Sequence, residues 1–348
     1  MEKILSVENL HVSFYSDGGE IAAVRGVSFD VNKGETLAIV GESGSGKSVT
    51  AKTLMKLLPK QNSIIKQGDV KYGGKNLVQL TNRDMEKLRG SEISMVFQDP
   101  MTSLNPTMTI GKQVMEGLKR HRTMSKKTAY TRTVELLELV GIPDPGERIN
   151  QYPHQFSGGM RQRVVIAMAL ACNPKMLIAD EPTTALDVTI QAQILELMKE
   201  LQKKFQTAII LITHDLGVVA NMAQRVAVMY AGEIMESGTL DEIFYQPKHP
   251  YTWGLLSSMP KLHADRSLPL TPIPGTPPDL SHLPEGCPFA PRCQYALKVC
   301  HQYEPGKTKV STTHTVSCWL EDERAPKVKK PEGIGGMQRG RQSKIAGS

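Results

Sequence analysis

The sequence predicts an α/β fold with a mostly parallel sheet, followed by a smaller, loop-rich C-terminal module that carries cysteines. Three observations predict it. Gly41-Glu-Ser-Gly-Ser-Gly-Lys-Ser48 fits G-x-x-x-x-G-K-[ST] and lies between an apolar run, Thr36 to Val40, and a helix-like segment, Val49 to Leu58. Apolar runs at 176–180 and 208–213 alternate with a segment of helical period, the pattern of parallel strands joined by crossover helices. Beyond about residue 245, eight prolines between Pro247 and Pro278 make a regular α/β core untenable.

Residues 4–40 alternate as strands and predict an antiparallel β edge. Leu5, Val7, Leu10, Val12 and Phe14 mark one strand, and Val24, Val27, Phe29 and Val31 another. Gly18-Gly19 and Lys33-Gly34-Glu35 mark turns. Phe14 ends its strand ahead of the glycine loop, where an aromatic ring can stack on a nucleotide base. Tyr15 is the fallback, and plain packing is the commoner fate of such a residue.

The glycine loop has a definite chemistry. Gly41, Ser43, Gly44, Ser45 and Gly46 let the backbone curl so that its N–H groups meet phosphate oxygens. The following helix N-terminus adds positive potential. Lys47 reaches the β- and γ-phosphates, and the Ser48 hydroxyl is suited to ligate Mg²⁺.

Gly68 to Gly74 is a turn-rich strand segment, and Ile93 to Gln98 a second short strand. Gln98 then opens a loop through Pro106 and is placed to orient a γ-phosphate and its metal. Residues 107–150 look helical: Tyr130, Val134, Leu137 and Val140 recur at helical spacing, with Gly141 as the C-cap. They define a helical subdomain of about 107–173 within a core of 1–245.

At Phe156-Ser-Gly-Gly-Met160 a loop meets a helix that runs to Cys172, with Ser157 as N-cap. Asp180, at the end of a buried strand, can hold Mg²⁺ directly or through water. Glu181 beside it is a candidate to polarise an attacking water. The next helix presents Ile190, Ile194, Leu197, Met198, Leu201 and Phe205 on one face, and His214 follows the next strand, where it can contact a γ-phosphate. Asp187 is a candidate bridge to a partner subunit. A strand-end acid is often a mere cap and a lone histidine is usually structural, so the weight lies in the order and surroundings of the whole set.

Composition narrows the function. The 348 residues suggest about two domains at ~150 residues each. Hydrophobic residues at 40% and charged residues at 22% suit a globular protein with a core. The longest apolar run, Val164 to Cys172, has nine residues, against the ~18–20 that span a bilayer. The N-terminus enters a strand pattern directly, so no signal peptide is expected, and the protein is placed in the cytoplasm or on the cytoplasmic face of a membrane. The net charge of +7 is partly local, with Lys327, Lys329, Lys330, Arg339, Arg341 and Lys344 in a tail, 321–348, that reads as solvated and disordered. No basic–aromatic run of the kind that stacks on single strands is present, so nucleic acid is not an expected partner.

The constellation of Gly41–Ser48, Gln98, Phe156-Ser-Gly-Gly-Met160, Asp180-Glu181, Ala185-Leu-Asp187 and His214 resembles the ATP-binding-cassette (ABC) ATPases over roughly residues 4–245. The resemblance implies an ABC-type P-loop NTPase fold, ATP and Mg²⁺ as cofactors, and a head-to-tail pairing of two cassettes. Ser157, Gly158 and Gly159 would then cap the γ-phosphate held by an opposing subunit. Phe156 and Met160 replace the commoner Leu and Gln of that signature, while the residues that meet phosphate are intact.

A finer resemblance is to the D-type ATP-binding subunits of bacterial oligopeptide and dipeptide importers. It is carried by Gln98 to Pro106, Asp180 to Gln193 and His249-Pro-Tyr-Thr252, and it extends to about residue 320. It implies two transmembrane permease subunits, a second and similar ATPase in a heterodimer, and indirectly an extracytoplasmic peptide-binding protein. Nickel or another small solute is the alternative cargo, and a soluble ABC ATPase acting on nucleic acid is the remote one.

Within 246–320, Cys287-x5-Cys293-x6-Cys300-x17-Cys318 offers four thiolates, suited to Zn²⁺ or a [4Fe–4S] cluster. The spacing leaves both open, although the lack of a C-x2-C pair weakens a zinc ribbon. Cys287-Pro-Phe-Ala-Pro-Arg-Cys293 and Val316-Ser-Cys-Trp319 resemble the cluster-binding extension of the importer family, which implies the [4Fe–4S] cluster. Cys172 reads as a core residue and His314 as local packing.

Overall fold

The computed structural model describes residues 2–16, 18–184, 186–259, 272–331 and 334. Two long strands open it. β1 (Lys3–Ser16) and β2 (Gly19–Asn32) pair antiparallel, with Val7 opposite Phe29 and Leu10 opposite Val27. β3 (Thr36–Val40), buried throughout, leads through the glycine loop into α1 (Lys47–Leu54). β4 (Ser63–Tyr72) and β5 (Lys75–Asn76) then complete a four-stranded antiparallel sheet ordered β2-β1-β4-β5. Bulges in β1, between Val7 and Leu10 and again between Leu10 and Val12, bend that sheet over the core.

α2 (Asn82–Leu88) precedes β6 (Ile93–Val96). The loop expected after Gln98 contains a short helix, α3 (Pro100–Ser103). The helical layer follows: α4 (Ile110–His121), α5 (Lys126–Leu139), α6 (Pro145–Arg148) and α7 (Gly158–Leu170). On α5 the buried face is Ala129, Thr133, Leu136 and Leu137. Tyr130, expected on that face, lies one position off it and is exposed.

β7 (Met176–Asp180), α8 (Val188–Phe205), β8 (Ala208–Thr213), α9 (Leu216–Met222) and β9 (Arg225–Tyr230) supply the rest of the crossover units. β10 (Glu233–Thr239) turns back antiparallel to β9, followed by α10 (Leu240–Tyr245) and α11 (Pro250–Ser257). Two very short strands, β11 (Thr308–Lys309) and β12 (Thr315–Val316), close the larger sheet, ordered β11-β12-β10-β9-β3-β8-β7-β6. β6, β7, β8, β3 and β9 run parallel. No helix among the described residues is long and apolar enough to cross a membrane.

Three apolar clusters hold the layers together. One packs the helical layer on β6, β7 and β8 through Val164, Ile166, Leu136 and Leu211. A second lies between the two sheets, with Leu5, Val7, Val31, Leu37, Ile178 and Ile210. The third joins Val40, Val228 and Tyr230 to Tyr251, Cys287, Phe289 and Cys300.

That third cluster corrects the expectation of a separate C-terminal module. β12 hydrogen-bonds to β10, and the Pro-rich region shares its core with the strand that feeds the glycine loop. His314 is also more than local packing. Its Nε2 lies 2.7 Å from Glu236 Oε1, both residues are buried, and Glu236 also accepts the backbone N–H groups of Lys248 and His249. The 321–348 tail falls outside the described residues beyond 331 except at 334. In its described part Lys330 Nζ stands 5.9 Å from the Trp253 ring centroid, so the solvated reading does not hold at that position. Ala185 also lies outside the described residues.

Candidate functional site

The glycine loop leaves the end of β3 and presses against β9. A Cβ on Gly41 would stand 2.1 Å from the Met229 carbonyl oxygen, so only glycine fits there. Gly46 caps α1 in the left-handed region at φ +98° and, having no side chain, makes no cap hydrogen bond to the first N–H groups, which suits them to an anion. Lys47 Nζ donates to the carbonyls of Gly41, at 2.8 Å, and Glu42, at 2.7 Å. Burial pulls its pKa down, and the nearby charges of Glu181, Asp180 and Glu42 pull the other way.

A cavity of about 330 Å³ opens over this loop. Residues 43–49 form its floor, Phe14 and Ala23 its apolar side, and Gln98 and Glu181 its far end, with Leu280 from the C-terminal region also lining it. A larger recess of about 550 Å³, near Lys3, Lys33 and Lys175, contains none of these groups.

At the cavity's end the strand-end acids converge with the loop. Ser48 Oγ donates to Asp180 Oδ1 at 3.0 Å. Burial raises the Asp180 pKa, the Ser48 hydrogen bond opposes it, and the charge of Glu181 adds to it. A hydroxyl and a carboxylate this close are hard oxygen donors of the kind Mg²⁺ takes, so the residues present fit the ion.

Glu181 sits at φ +47°, a left-handed conformation costly for a side chain with a Cβ and concentrated at functional sites. Its Oε2 accepts from Gln98 Nε2 at 3.0 Å and Thr184 Oγ1 at 2.9 Å, and its Oε1 lies 3.0 Å from His214 Nδ1. Burial alone would raise its pKa. The hydrogen bonds from His214 and Thr184 outweigh that, so the carboxylate stays below its ordinary value and ionised at neutral pH.

The structure thus gathers Phe14, Ser43 to Ser48, Gln98, Asp180, Glu181 and His214 around one cavity or its rim. Ser157, Gly158 and Gly159 stand elsewhere, at the N-terminus of α7, and none of them lines that cavity. Ser157 Oγ accepts from Met160 N, while Ser157 and Gly158 are exposed. Asp187 caps α8 by accepting from Thr189 and Ile190 N–H, the plain role of such an acid.

All five cysteines are free. Burial raises the Cys318 thiol far above its ordinary value, and the nearness of Cys287, Cys293 and Cys300 raises it further; burial likewise pushes Cys293 up to about 11 and Cys287 to about 12. The thiols thus influence one another electrostatically, but among the described residues no three His, Cys, Asp or Glu side chains stand in metal-holding geometry. The residues that sequence reasoning missed are Leu280, Tyr251, Arg292 and Thr184. The first three come from the C-terminal region, and no local pattern links them to a loop more than 200 residues away.

The parallel sheet, the phosphate loop and a strand-end Asp-Glu pair define a P-loop ATPase of the ATP-binding-cassette class. The ABC transporter family profile matches residues 24–184, and the profile "Oligopeptide/dipeptide transporter, C-terminal region" matches 235–300. The oligopeptide transport ATP-binding protein OppD of Bacillus subtilis (strain 168) is 63% identical over 332 residues, covering 95% of this chain and 93% of the relative. The dipeptide transport ATP-binding protein DppD of the same organism is 62% identical, covering 93% and 97%. A dimeric ATP-binding cassette solved in a post-hydrolysis state with ADP and Pi aligns at a TM-score of 0.61 and 30% identity, over 68% of this chain and 99% of that one. The chain belongs to the family of oligopeptide and dipeptide transport ATP-binding proteins within the ABC transporters.

Proposed function

We propose that this chain is the ATP-hydrolysing subunit of an importer of oligopeptides or dipeptides, acting on the cytoplasmic face of the membrane. The observation that carries the reading is 63% identity to an oligopeptide transport ATP-binding protein along 95% of the chain. The proposed organisation is a cassette over 1–245 with its helical subdomain, and an extension over 246–320. Its partners are two permease subunits, a homologous second ATPase, and indirectly a peptide-binding protein outside the membrane.

The site supports the chemistry as follows. The loop N–H groups and Lys47 hold the phosphates, and Phe14 flanks the base. Ser48 and Asp180, with Gln98, would hold Mg²⁺, which when bound neutralises charge on the phosphate oxygens. Glu181 accepts the proton of a water whose oxygen attacks the γ-phosphorus. The bond to the bridging oxygen breaks, and ADP leaves with its electron pair. His214 and Gln98 orient Glu181. Ser157, Gly158 and Gly159 serve the partner's nucleotide, which agrees with the exposure of Ser157 and Gly158 and with the place of all three outside the chain's own cavity.

Cys287, Cys293, Cys300 and Cys318 are proposed to hold a [4Fe–4S] cluster, one thiolate each. The support is the donor type, the family resemblance and the electrostatic influence of the thiols on one another. Iron and acid-labile sulfide in anaerobically purified protein, both lost on Cys300→Ala, are expected; colourless protein with stoichiometric zinc would overturn the cluster.

Transport is tested by reconstituting the chain with its co-purifying membrane subunits in vesicles. ATP-dependent uptake of a labelled oligopeptide, abolished by Glu181→Gln, is expected. Uptake of nickel without peptide would reassign the cargo, and co-purification of stoichiometric RNA in place of a membrane protein would overturn transport.

A further inference from the structure

The phosphate loop is held from behind by the C-terminal region, and the contact centres on Glu42. Arg292 is buried, and its guanidinium forks the Glu42 carboxylate: one terminal nitrogen lies 2.6 Å from Oε2 and the other 3.0 Å from Oε1. The remaining donors are also used. Nε donates to the Pro274 carbonyl at 2.8 Å, and the terminal nitrogens also reach the Tyr230 hydroxyl and the Gly275 carbonyl, each at 3.3 Å. Five N–H donors thus meet five acceptors, a geometry that a lysine cannot reproduce.

Glu42 is fixed at its backbone as well. Its N–H donates to the Tyr251 hydroxyl at 2.8 Å, and Tyr251 is a buried residue of α11. Its carbonyl accepts from Lys47 Nζ at 2.7 Å. One residue of the loop therefore connects two side chains of the C-terminal region to the ammonium that meets the phosphates. Leu280, from the same region, lines the cavity itself.

We propose that Arg292 is a positioning residue for nucleotide binding: by forking Glu42 it fixes the first turn of the phosphate loop and with it Lys47. The C-terminal region is then part of the ATP site of its own chain. Charge-assisted bidentate pairs of this kind impose geometry as well as attraction. The third apolar cluster, which packs Phe289 and Tyr251 on Tyr230, makes the anchor rigid. The inference rests on the assignment of this cavity to ATP.

The test is a double-mutant cycle on the full-length chain, with trinitrophenyl-ATP as the binding probe. Arg292→Lys and Glu42→Gln are each expected to weaken binding about 5- to 20-fold. The double variant is expected to bind no worse than the weaker single one. The KM for ATP should rise in parallel, with kcat at saturation within about twofold. A role limited to docking the C-terminal region would instead lower the melting temperature and the active fraction, and would leave the Kd of that fraction unchanged. Binding within twofold of wild type in either single variant, or multiplicative effects in the double, overturns the proposal. Lys47→Ala separates the two readings. If that variant binds the probe normally, the cavity is not the ATP site; if it loses binding while Arg292→Lys does not, only the present inference fails.

Discussion

His214 Nδ1 stands 3.0 Å from Glu181 Oε1, on the side opposite the Gln98 amide that donates to Oε2. The carboxylate is therefore held at both oxygens, on a backbone in the left-handed region. Glutamine is nearly isosteric but cannot take a proton from water. Glu181→Gln should keep nucleotide affinity within a few-fold and lower turnover by about 10²–10⁴-fold, the usual worth of a general base. Phosphate release and size-exclusion chromatography with MgATP check it, with a trapped dimer expected. Turnover within tenfold of wild type would remove Glu181 from the role.

Gly159 bears on the pairing of cassettes. A Cβ there would lie 2.6 Å from Ile190 Cγ2, an atom of a β-branched side chain with little room to turn. Gly159→Val should push the start of α7, with its exposed Ser157 and Gly158, out of shape without touching the lining of the chain's own cavity. If a partner's Ser157 segment completes the site as proposed, binding of trinitrophenyl-ATP should be unchanged while hydrolysis falls at least tenfold. Equal loss of both would place the segment in the chain's own site.

The parts of the site that could be read in the sequence are contiguous or lie at strand ends. Gly41 to Ser48 is a single run, and Asp180-Glu181 and His214 each follow an unbroken apolar strand, so position along the chain implies position at one edge of a parallel sheet. Arg292 and Glu42 are 250 residues apart, and neither has a local pattern that points to the other. β11 and β12 have two residues each, too few to show alternation, and so the region looked separate when it is stitched to β10. His314 and Glu236 form a buried polar pair across 78 residues, which hydropathy cannot register. Helical period alone also misjudged Tyr130, because positions one residue apart on α5 face differently.

His249 gives a pH dependence of known sign. It is buried, its Nδ1 accepts the Tyr251 N–H at 3.0 Å, and so its proton sits on Nε2, which has no hydrogen-bond partner among the described residues. Burial holds its pKa at about 4, below the ordinary 6.5, against a smaller opposing pull from Glu236. Between those values the unfolded chain binds the proton and the folded one does not. This contribution to stability is therefore complete above about pH 6.5 and is lost as pH falls toward 4, to a total of roughly 3 kcal/mol. Asparagine can accept the same N–H at the helix start. Denaturant melts of wild type and His249→Asn from pH 8 to about pH 4 should show a steeper acid loss in wild type. Parallel curves would contradict a neutral buried imidazole.

Gly286 tests whether the C-terminal region and the nucleotide site are mechanically one. The adjacent Cys287 N–H donates to the Cys300 carbonyl at 2.8 Å, and a Cβ on Gly286 would stand 2.2 Å from that same oxygen. The obstacle is backbone, so Gly286→Ala must separate the two segments. Phe289 and Cys300 belong to the cluster that seats Tyr251, and Arg292 lies three residues beyond Phe289. The strain should cost about 1–3 kcal/mol, typical of overpacking, and appear as a lower melting temperature and faster proteolysis within 272–331. Since that region carries Arg292, which forks Glu42, and packs on Tyr251, which holds the Glu42 N–H, ATP affinity should fall with it, although Gly286 does not line the cavity. A variant that melts early yet binds trinitrophenyl-ATP as tightly as wild type would show that the region is attached to the cassette without governing its loop.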